Sequence, residues 1–130
     1  MATVYVDTSV LGRVLLGEPD TTAILRSLDA FELRVASRLM RVELRRLGLR
    51  TGLLAEADRL LTGVALLPVD DSLLAAAESV APPTVATLDA IHLVTALRLS
   101  SVQRLDAIMT YDMRLAGGAR DHGLAVLAPA

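Results

Sequence analysis

Residues 3–9, Thr-Val-Tyr-Val-Asp-Thr-Ser, contain a short apolar run that ends abruptly in an acid. The β-branched and aromatic residues Thr3–Val6 predict a short buried strand. Asp7 follows this strand directly, and in a parallel sheet ligands bind beyond the carboxyl ends of the strands. Asp7 is therefore a candidate functional residue, with capping of the next helix by Asp7 or Ser9 as the alternative interpretation.

Outward from this strand, short apolar segments alternate with helical segments along the whole chain. Further strands are predicted at Leu33–Ala36, Val64–Val69, Ala107–Thr110 and Ala125–Leu127. Helices are predicted at Val10–Leu16, Thr21–Ala30, from an N-cap at Ser37 to Leu49, Gly52–Leu61, from Asp70 to Val80, Thr87–Leu99 and Met113–Arg120. Because strands that alternate with helices form βαβ units, we expect one α/β domain over residues 1–130, with a parallel sheet between two helical layers.

The composition excludes several kinds of chemistry. The 130 residues include no cysteine, which excludes disulfide frameworks, thiolate zinc sites and cysteine nucleophiles. All 13 basic residues are arginine, so reactions that need a lysine amine are excluded as well. The net charge is −2, and any contact with nucleic acid must therefore use local patches of arginine.

No targeting signal or membrane anchor is evident in the sequence. The first residues lack the basic region of a signal peptide. No uncharged apolar run approaches the ~18 residues of a membrane span. We therefore expect a cytoplasmic protein without a membrane partner.

Two further acids occupy positions that call for an explanation. Asp112 follows the predicted strand Ala107–Thr110 just as Asp7 follows the first strand, and its alternative role is also helix capping. Asp89 lies in the first turn of the strongly apolar helix Thr87–Leu99, where the helix dipole alone would favour an acid. We expect these acids to converge at one end of the sheet.

Glu43 is the most anomalous acid, because it lies between Leu39 and Leu47 on the apolar side of its predicted helix. A carboxylate on a core-facing stripe is unfavourable unless it is paired or binds a metal. The structural alternative is an ion pair with Arg46 or Arg50. If Glu43 lies among other carboxylates instead, burial and repulsion should raise its pKa when no metal is bound.

Four acids from separate elements, without cysteine or a set of histidines, are typical ligands of a hard cation such as Mg²⁺ or Mn²⁺. In a carboxylate cluster, such a cation can orient a water, lower its pKa and neutralise a phosphodiester transition state. The residues therefore predict metal-dependent nuclease chemistry. His92, one turn after Asp89, is interpreted as a hydrogen-bonded packing residue, with a role beside a metal ligand as the alternative.

These motifs resemble the PIN domain, most closely the ribonuclease toxins of bacterial VapBC toxin–antitoxin pairs. The resemblance rests on residues 4–9, 41–44, 87–93 and 110–115, in that order over essentially the whole chain. It implies a three-layer α/β/α Rossmann-like fold and a Mg²⁺- or Mn²⁺-dependent endoribonuclease, the toxin of a type II toxin–antitoxin system. It also implies a homodimer and a cognate VapB-like antitoxin that covers the acidic site.

The resemblance further implies a role for each candidate residue. The catalytic and metal-binding positions of the family are matched by Asp7, Glu43, Asp89 and Asp112. Ser9 and Thr110 match polar positions near the metal.

The remaining predictions concern partners and rival functions. Contacts with RNA are predicted from arginines near the acids in sequence, namely Arg13, Arg41, Arg45 and Arg114. Association is predicted through apolar surface on the helices Thr21–Ala30 and Leu53–Leu61. The alternatives to a nuclease are a catalytically silent PIN domain that acts as an interaction scaffold and a receiver-like signalling domain, which would need a lysine that the chain lacks.

Overall fold

A computed structural model describes all residues from Met1 to Ala130. The strands are β1 (Thr3–Val6), β2 (Leu33–Ser37), β3 (Ala65–Leu67), β4 (Ala107–Met109) and β5 (Val126–Leu127). The helices are α1 (Thr8–Leu15), α2 (Thr21–Asp29), α3 (Leu39–Thr51), α4 (Leu54–Leu61), α5 (Asp71–Ala77), α6 (Thr87–Val102) and α7 (Met113–Asp121). Strands and helices therefore alternate as the sequence predicts.

The five strands form one parallel sheet in the order β3-β2-β1-β4-β5. The first strand of the chain is the central strand of the sheet. Tyr5 of β1 lies opposite Val35 of β2 on one side and opposite Ile108 of β4 on the other. The carboxyl end of β1 is consequently flanked by those of two neighbouring strands, which is where ligands bind in such sheets.

Successive side chains of a strand point to opposite faces of the sheet, so the core is divided between the two faces. Val4 and Val6 face a cluster built with helices α1, α2, α3 and α4, whereas Tyr5 faces a second cluster built with α6 and α7. All three of these side chains are completely buried. The predicted α/β fold with a parallel sheet between two helical layers is confirmed.

The bounds of several elements differ from the prediction: β3 is shorter than the predicted Val64–Val69, α5 ends at Ala77 and not at Val80, and α1, α3 and α4 begin at other residues. α1 already begins at Thr8, directly after the acid that ends β1. Ser37 is the last residue of β2 and not the residue before α3, although its hydroxyl accepts a hydrogen bond from the Leu39 amide (3.1 Å). α4 begins only at Leu54, because Gly52 ends α3 with φ of 73°, a left-handed conformation that favours glycine.

α6 is longer than predicted and is the most buried helix, in keeping with its apolar sequence. It continues to Val102 and buries two polar side chains, His92 and Thr95, among its apolar neighbours. None of the helices combines the length and the hydrophobicity that crossing a membrane requires.

Candidate active site

An acidic cleft of about 310 Å³ opens at the carboxyl ends of β1 and β4. The Asp7 amide donates a hydrogen bond to the Met109 carbonyl (3.0 Å), which extends the pairing of these strands into the cleft. The cleft is lined by Asp7, Thr8, Ser9, Gly12, Glu43, Leu47, Arg50, Asp89 and Asp112. The four acids that the sequence singled out thus lie in one cleft, although they come from distant parts of the chain.

Asp7 is held in place by two hydroxyl groups. Its side chain is buried, and Oδ2 accepts hydrogen bonds from Ser9 Oγ (2.6 Å) and Thr110 Oγ1 (2.9 Å). Ser9 Oγ in turn accepts from the Tyr111 amide, and Thr110 Oγ1 accepts from the Asp112 amide, both at 3.0 Å. Ser9 and Thr110 therefore lie beside Asp7, and they fix one carboxylate oxygen while leaving Oδ1 without a hydrogen bond.

The capping alternative fails for Asp7 and holds for Asp112. Asp7 precedes α1 but makes no side-chain bond to the amides of its first turn. Asp112 precedes α7, and its Oδ1 accepts a hydrogen bond from the Leu115 amide (2.8 Å). Asp112 is thus a helix cap that also lines the cleft, because a carboxylate has a second oxygen.

Glu43 lies at the edge of the buried face of α3. The residues that α3 buries are Met40, Leu44 and Gly48. Each lies one position after a residue of the predicted apolar side, which contains Glu43. Glu43 Oε1 accepts a hydrogen bond from Thr8 Oγ1 (2.7 Å) and lies 2.8 Å from His92 Nε2.

For Glu43, the alternative interpretation and the expected direction of the pKa shift are both wrong. No ion pair joins it to Arg46 or Arg50, because its carboxylate turns towards α6 and is paired with His92. Its pKa is lowered and not raised: partial burial would raise the pKa, but the hydrogen bonds from His92 and Thr8 favour the ionised form more strongly.

Asp89 is the acid whose ionisation the cleft opposes. Its half-buried carboxyl lies close to the negative charges of Asp7 and Asp112. Burial, followed by repulsion from these two neighbours, raises the pKa of Asp89 to about 7. Asp89 and Glu43 therefore differ in protonation near neutral pH, although both line the same cleft.

His92 joins the acids to the core below them. It is 1% exposed, its Nδ1 lies 2.7 Å from the Tyr5 hydroxyl, and its Nε2 lies 3.6 Å from Asp7 Oδ1. Burial alone would lower the pKa of His92, but the hydrogen bond with Glu43 and the charge of Asp7 raise it overall. His92 is thus buried and hydrogen-bonded, as the packing interpretation expects, and its contact with Glu43 also fits the alternative of a role beside a metal ligand. The sequence did not identify Glu43 as the acid that His92 contacts.

The donor chemistry of the cleft fits a hard divalent cation. All four acids and the hydroxyls between them offer oxygen, which Mg²⁺ and Mn²⁺ prefer. No three acidic or histidine side chains surround one point closely enough to form a complete ligand set by themselves. Mg²⁺ keeps several waters and commonly takes only one or two carboxylates from the protein, so waters would complete its coordination in this cleft.

The predicted RNA-binding arginines fall into two groups. Arg13 is engaged with the protein itself, since it pairs with Asp20 (3.1 Å) and lies over the ring of Tyr111 (4.2 Å to the centroid). Arg45 is likewise paired with Asp58.

Arg41 and Arg114 make no ion pair and remain available for a phosphate. Arg41 lines a groove of about 250 Å³ along the outer side of α3, together with Arg38 and Arg46. Arg50, which the sequence did not suggest as an RNA contact, lines the acidic cleft itself.

Comparisons with known proteins are consistent along the whole chain. A family model described as the PIN domain matches residues 4–120. Ribonuclease VapC47 of Mycobacterium tuberculosis is 38% identical over 133 residues, covering 97% of this chain and 96% of that protein. Ribonuclease VapC46 of the same species is 39% identical over 131 residues, covering 99% of each. A solved toxin–antitoxin complex from Klebsiella pneumoniae contains a chain with the same fold, with a TM-score of 0.73 at 16% identity over 98% of both chains.

Proposed function

Because the chain belongs to the PIN-domain family, we propose that it is a metal-dependent endoribonuclease and the toxin component of a VapBC-type toxin–antitoxin pair. In this proposal residues 1–130 form one catalytic domain. The observation that carries it is the meeting of Asp7, Glu43, Asp89 and Asp112 in one cleft at the carboxyl end of the sheet. The ribonuclease names of relatives 38–39% identical over the full length support the same activity.

Asp7 and Asp89 are the proposed principal ligands of Mg²⁺ or Mn²⁺, and Glu43 and Asp112 complete the site directly or through water. When bound, the cation would act as a Lewis acid at the scissile phosphate and lower the pKa of the attacking water. Asp7 is suited to direct ligation because two hydroxyls fix one of its oxygens and leave the other free.

The pKa shifts of Glu43 and Asp89 suit these proposed roles. The lowered pKa of Glu43 keeps its carboxylate ionised, so it can accept a proton or orient a water without losing one first. Asp89, with a pKa of about 7, must lose a proton before it can coordinate a cation. In the metal-free cleft the negative charges of Asp7, Asp89 and Asp112 repel one another, and a bound cation would relieve this repulsion.

Substrate contacts are proposed from the arginines that have no acidic partner. Arg50 lines the cleft, while Arg41 and Arg114 lie on the elements that carry Glu43 and Asp112. These guanidinium groups would hold phosphates on either side of the scissile bond.

The proposed partners are a cognate VapB-like antitoxin and a second copy of the chain. The names of the relatives and the toxin–antitoxin complex with the same fold support an antitoxin. Of the two helices predicted to associate, α2 exposes Leu25, and a groove of about 220 Å³ between α2 and α4 is lined by Leu25, Leu28 and Leu60. A homodimer and a cytoplasmic location both stay predictions.

Cleavage of a mixed RNA pool tests the proposal. We expect cleavage with Mn²⁺ or Mg²⁺, none with EDTA, and loss of most cleavage in Asp7→Asn. Asp71→Asn, which removes an exposed acid on α5 outside the cleft, serves as the matched control and should cleave normally. Metal binding without cleavage by the parent protein would favour the silent scaffold instead.

A further inference from the structure

A buried series of hydrogen bonds runs from the end of β2 to Glu43. The Ser37 amide donates to the Tyr5 hydroxyl oxygen (3.0 Å), and this hydroxyl lies 2.7 Å from His92 Nδ1. On the other side of the ring, His92 Nε2 lies 2.8 Å from Glu43 Oε1. Ser37, Tyr5 and His92 are at most 1% exposed. The series therefore joins two inner strands to α6 and α3, and only its Glu43 end reaches solvent.

The partners of the His92 ring determine where its hydrogen atoms lie. The ionised Glu43 carboxylate can only accept, so His92 Nε2 must carry a hydrogen and donate it. At the other end, the Tyr5 oxygen accepts from the Ser37 amide, and the Tyr5 hydroxyl either donates its hydrogen to Nδ1 of a neutral ring or accepts one from Nδ1 of a protonated ring. Both ring nitrogens are thus engaged, which leaves His92 unavailable as a metal ligand.

We propose that His92 is a positioning residue that directs the Glu43 carboxylate into the acidic cleft, and that the Tyr5 hydroxyl orients the His92 ring for this purpose. The inference rests on the proposed function, because that function gives Glu43 its role. Glu43 starts from the edge of α3 with a side chain that is 25% exposed, and a free glutamate there would sample many rotamers. His92 and Thr8 hold Oε1 and thereby restrict the orientation of the Glu43 carboxylate, which lines the cleft.

Among the acids of the cleft, His92 hydrogen-bonds to Glu43 alone. The other acidic oxygen near the ring, Asp7 Oδ1, is 3.6 Å from Nε2, beyond a good hydrogen bond. Asp7 is positioned instead by the hydroxyls of Ser9 and Thr110. Each of these two acids consequently has its own set of supporting groups.

Two amide substitutions separate positioning from packing. His92→Gln places an amide N–H near the position of Nε2 and can still donate to Glu43, whereas the shorter His92→Asn reproduces only the Nδ1 side. We expect His92→Gln to bind Mn²⁺ within about threefold of the parent and His92→Asn to bind about tenfold more weakly, as is typical when the partner behind a ligand is lost. Calorimetric titration with Mn²⁺ measures both, with melting temperatures as a check on folding. Equal weakening in the two variants would overturn the proposal.

A second measurement needs neither metal nor RNA. Nitrogen-15 NMR of the imidazole groups in metal-free protein should show a hydrogen on His92 Nε2, and Tyr5→Phe should change the ring signals of His92. Tyr111→Phe is the matched control, because its hydroxyl donates to the Pro129 carbonyl outside this series. An Nε2 without hydrogen, or ring signals that Tyr5→Phe leaves unchanged, would refute the inference. A parent protein that binds no Mn²⁺ would instead count against the proposed function, while the NMR result would still decide the role of His92.

Discussion

Replacement of Asp89 by asparagine should stabilise the metal-free protein, and the gain should grow with pH. The folded pKa of Asp89 is about 7, whereas the ordinary value is 3.8. A raised folded pKa means that ionisation of Asp89 opposes folding. The parent is therefore most stable below pH 3.8 with respect to this group and loses that stability as the pH rises through 7. Asp89→Asn removes the charge and with it this loss.

The size of the effect follows from the shift and from the exposure of the group. A pKa change from 3.8 to about 7 corresponds to roughly 4 kcal/mol at pH 8.5 if nothing screens the charge. The carboxyl is only half-buried, so water and salt screen much of this, and we expect about 1–2 kcal/mol. For a chain of this length that is a rise in melting temperature of about 4–8 °C.

Thermal unfolding in EDTA at pH 5 and pH 8.5 provides the assay. The advantage of Asp89→Asn over the parent should be larger at pH 8.5, and the surface control Asp71→Asn should show no such dependence. With Mn²⁺ at 100 times its Kd the parent should gain about 2.7 kcal/mol, and the variant should gain less because a ligand is missing. An advantage that is the same at both pH values, or that Asp71→Asn reproduces, would refute the electrostatic account of the cleft.

Four further substitutions test other features. Glu43→Gln should lose most RNA cleavage. It should also lose about 1–2 kcal/mol of unfolding free energy at pH 7, because the lowered pKa means that the ionised form stabilises the fold and the substitution weakens the bond with His92. A variant that melts above the parent in EDTA would contradict this. Arg41→Ala should flatten the log–log salt dependence of RNA binding by about one unit, whereas Arg13→Ala, whose side chain is already paired, should lower the melting temperature and leave the slope unchanged. Gly118→Ala should lower the free energy of unfolding by about 1–3 kcal/mol, because the added Cβ would lie 2.7 Å from a methyl group of Val85 in the second core cluster. An unchanged denaturant midpoint would show that Val85 moves aside without cost.

The positions of the acids could be predicted wherever a local pattern fixes them. Asp7 and Asp112 follow buried strands, and parallel strands bring their carboxyl ends to one edge, so chain order alone places both acids in the cleft. Asp89 follows from its place in the first turn of an unusually apolar helix. These inferences need only the type of element and its direction.

The environment of Glu43 could not be predicted in the same way. The helical wheel places Glu43 on the apolar side, but α3 buries Met40 and Leu44, a rotation of one position that depends on how the helix packs on the sheet. The partner of Glu43 is 49 residues away in the chain and belongs to a different layer. Whether burial or hydrogen bonding decides its pKa depends on that distant contact, and no local pattern encodes it.

The central position of β1 has a consequence for synthesis of the protein. β1 is made first, yet one of its two neighbours, β4, is residues Ala107–Met109, close to the end of the chain. A nascent chain can pair β1 with β2 early, but the other edge of β1 stays open until β4 has left the ribosome. Thr110 and Asp112 arrive only with β4, so Asp7 lacks part of its support until then. The acidic cleft is therefore incomplete in any fragment that ends before Asp112, and a chain abandoned before that point in translation lacks the assembled site.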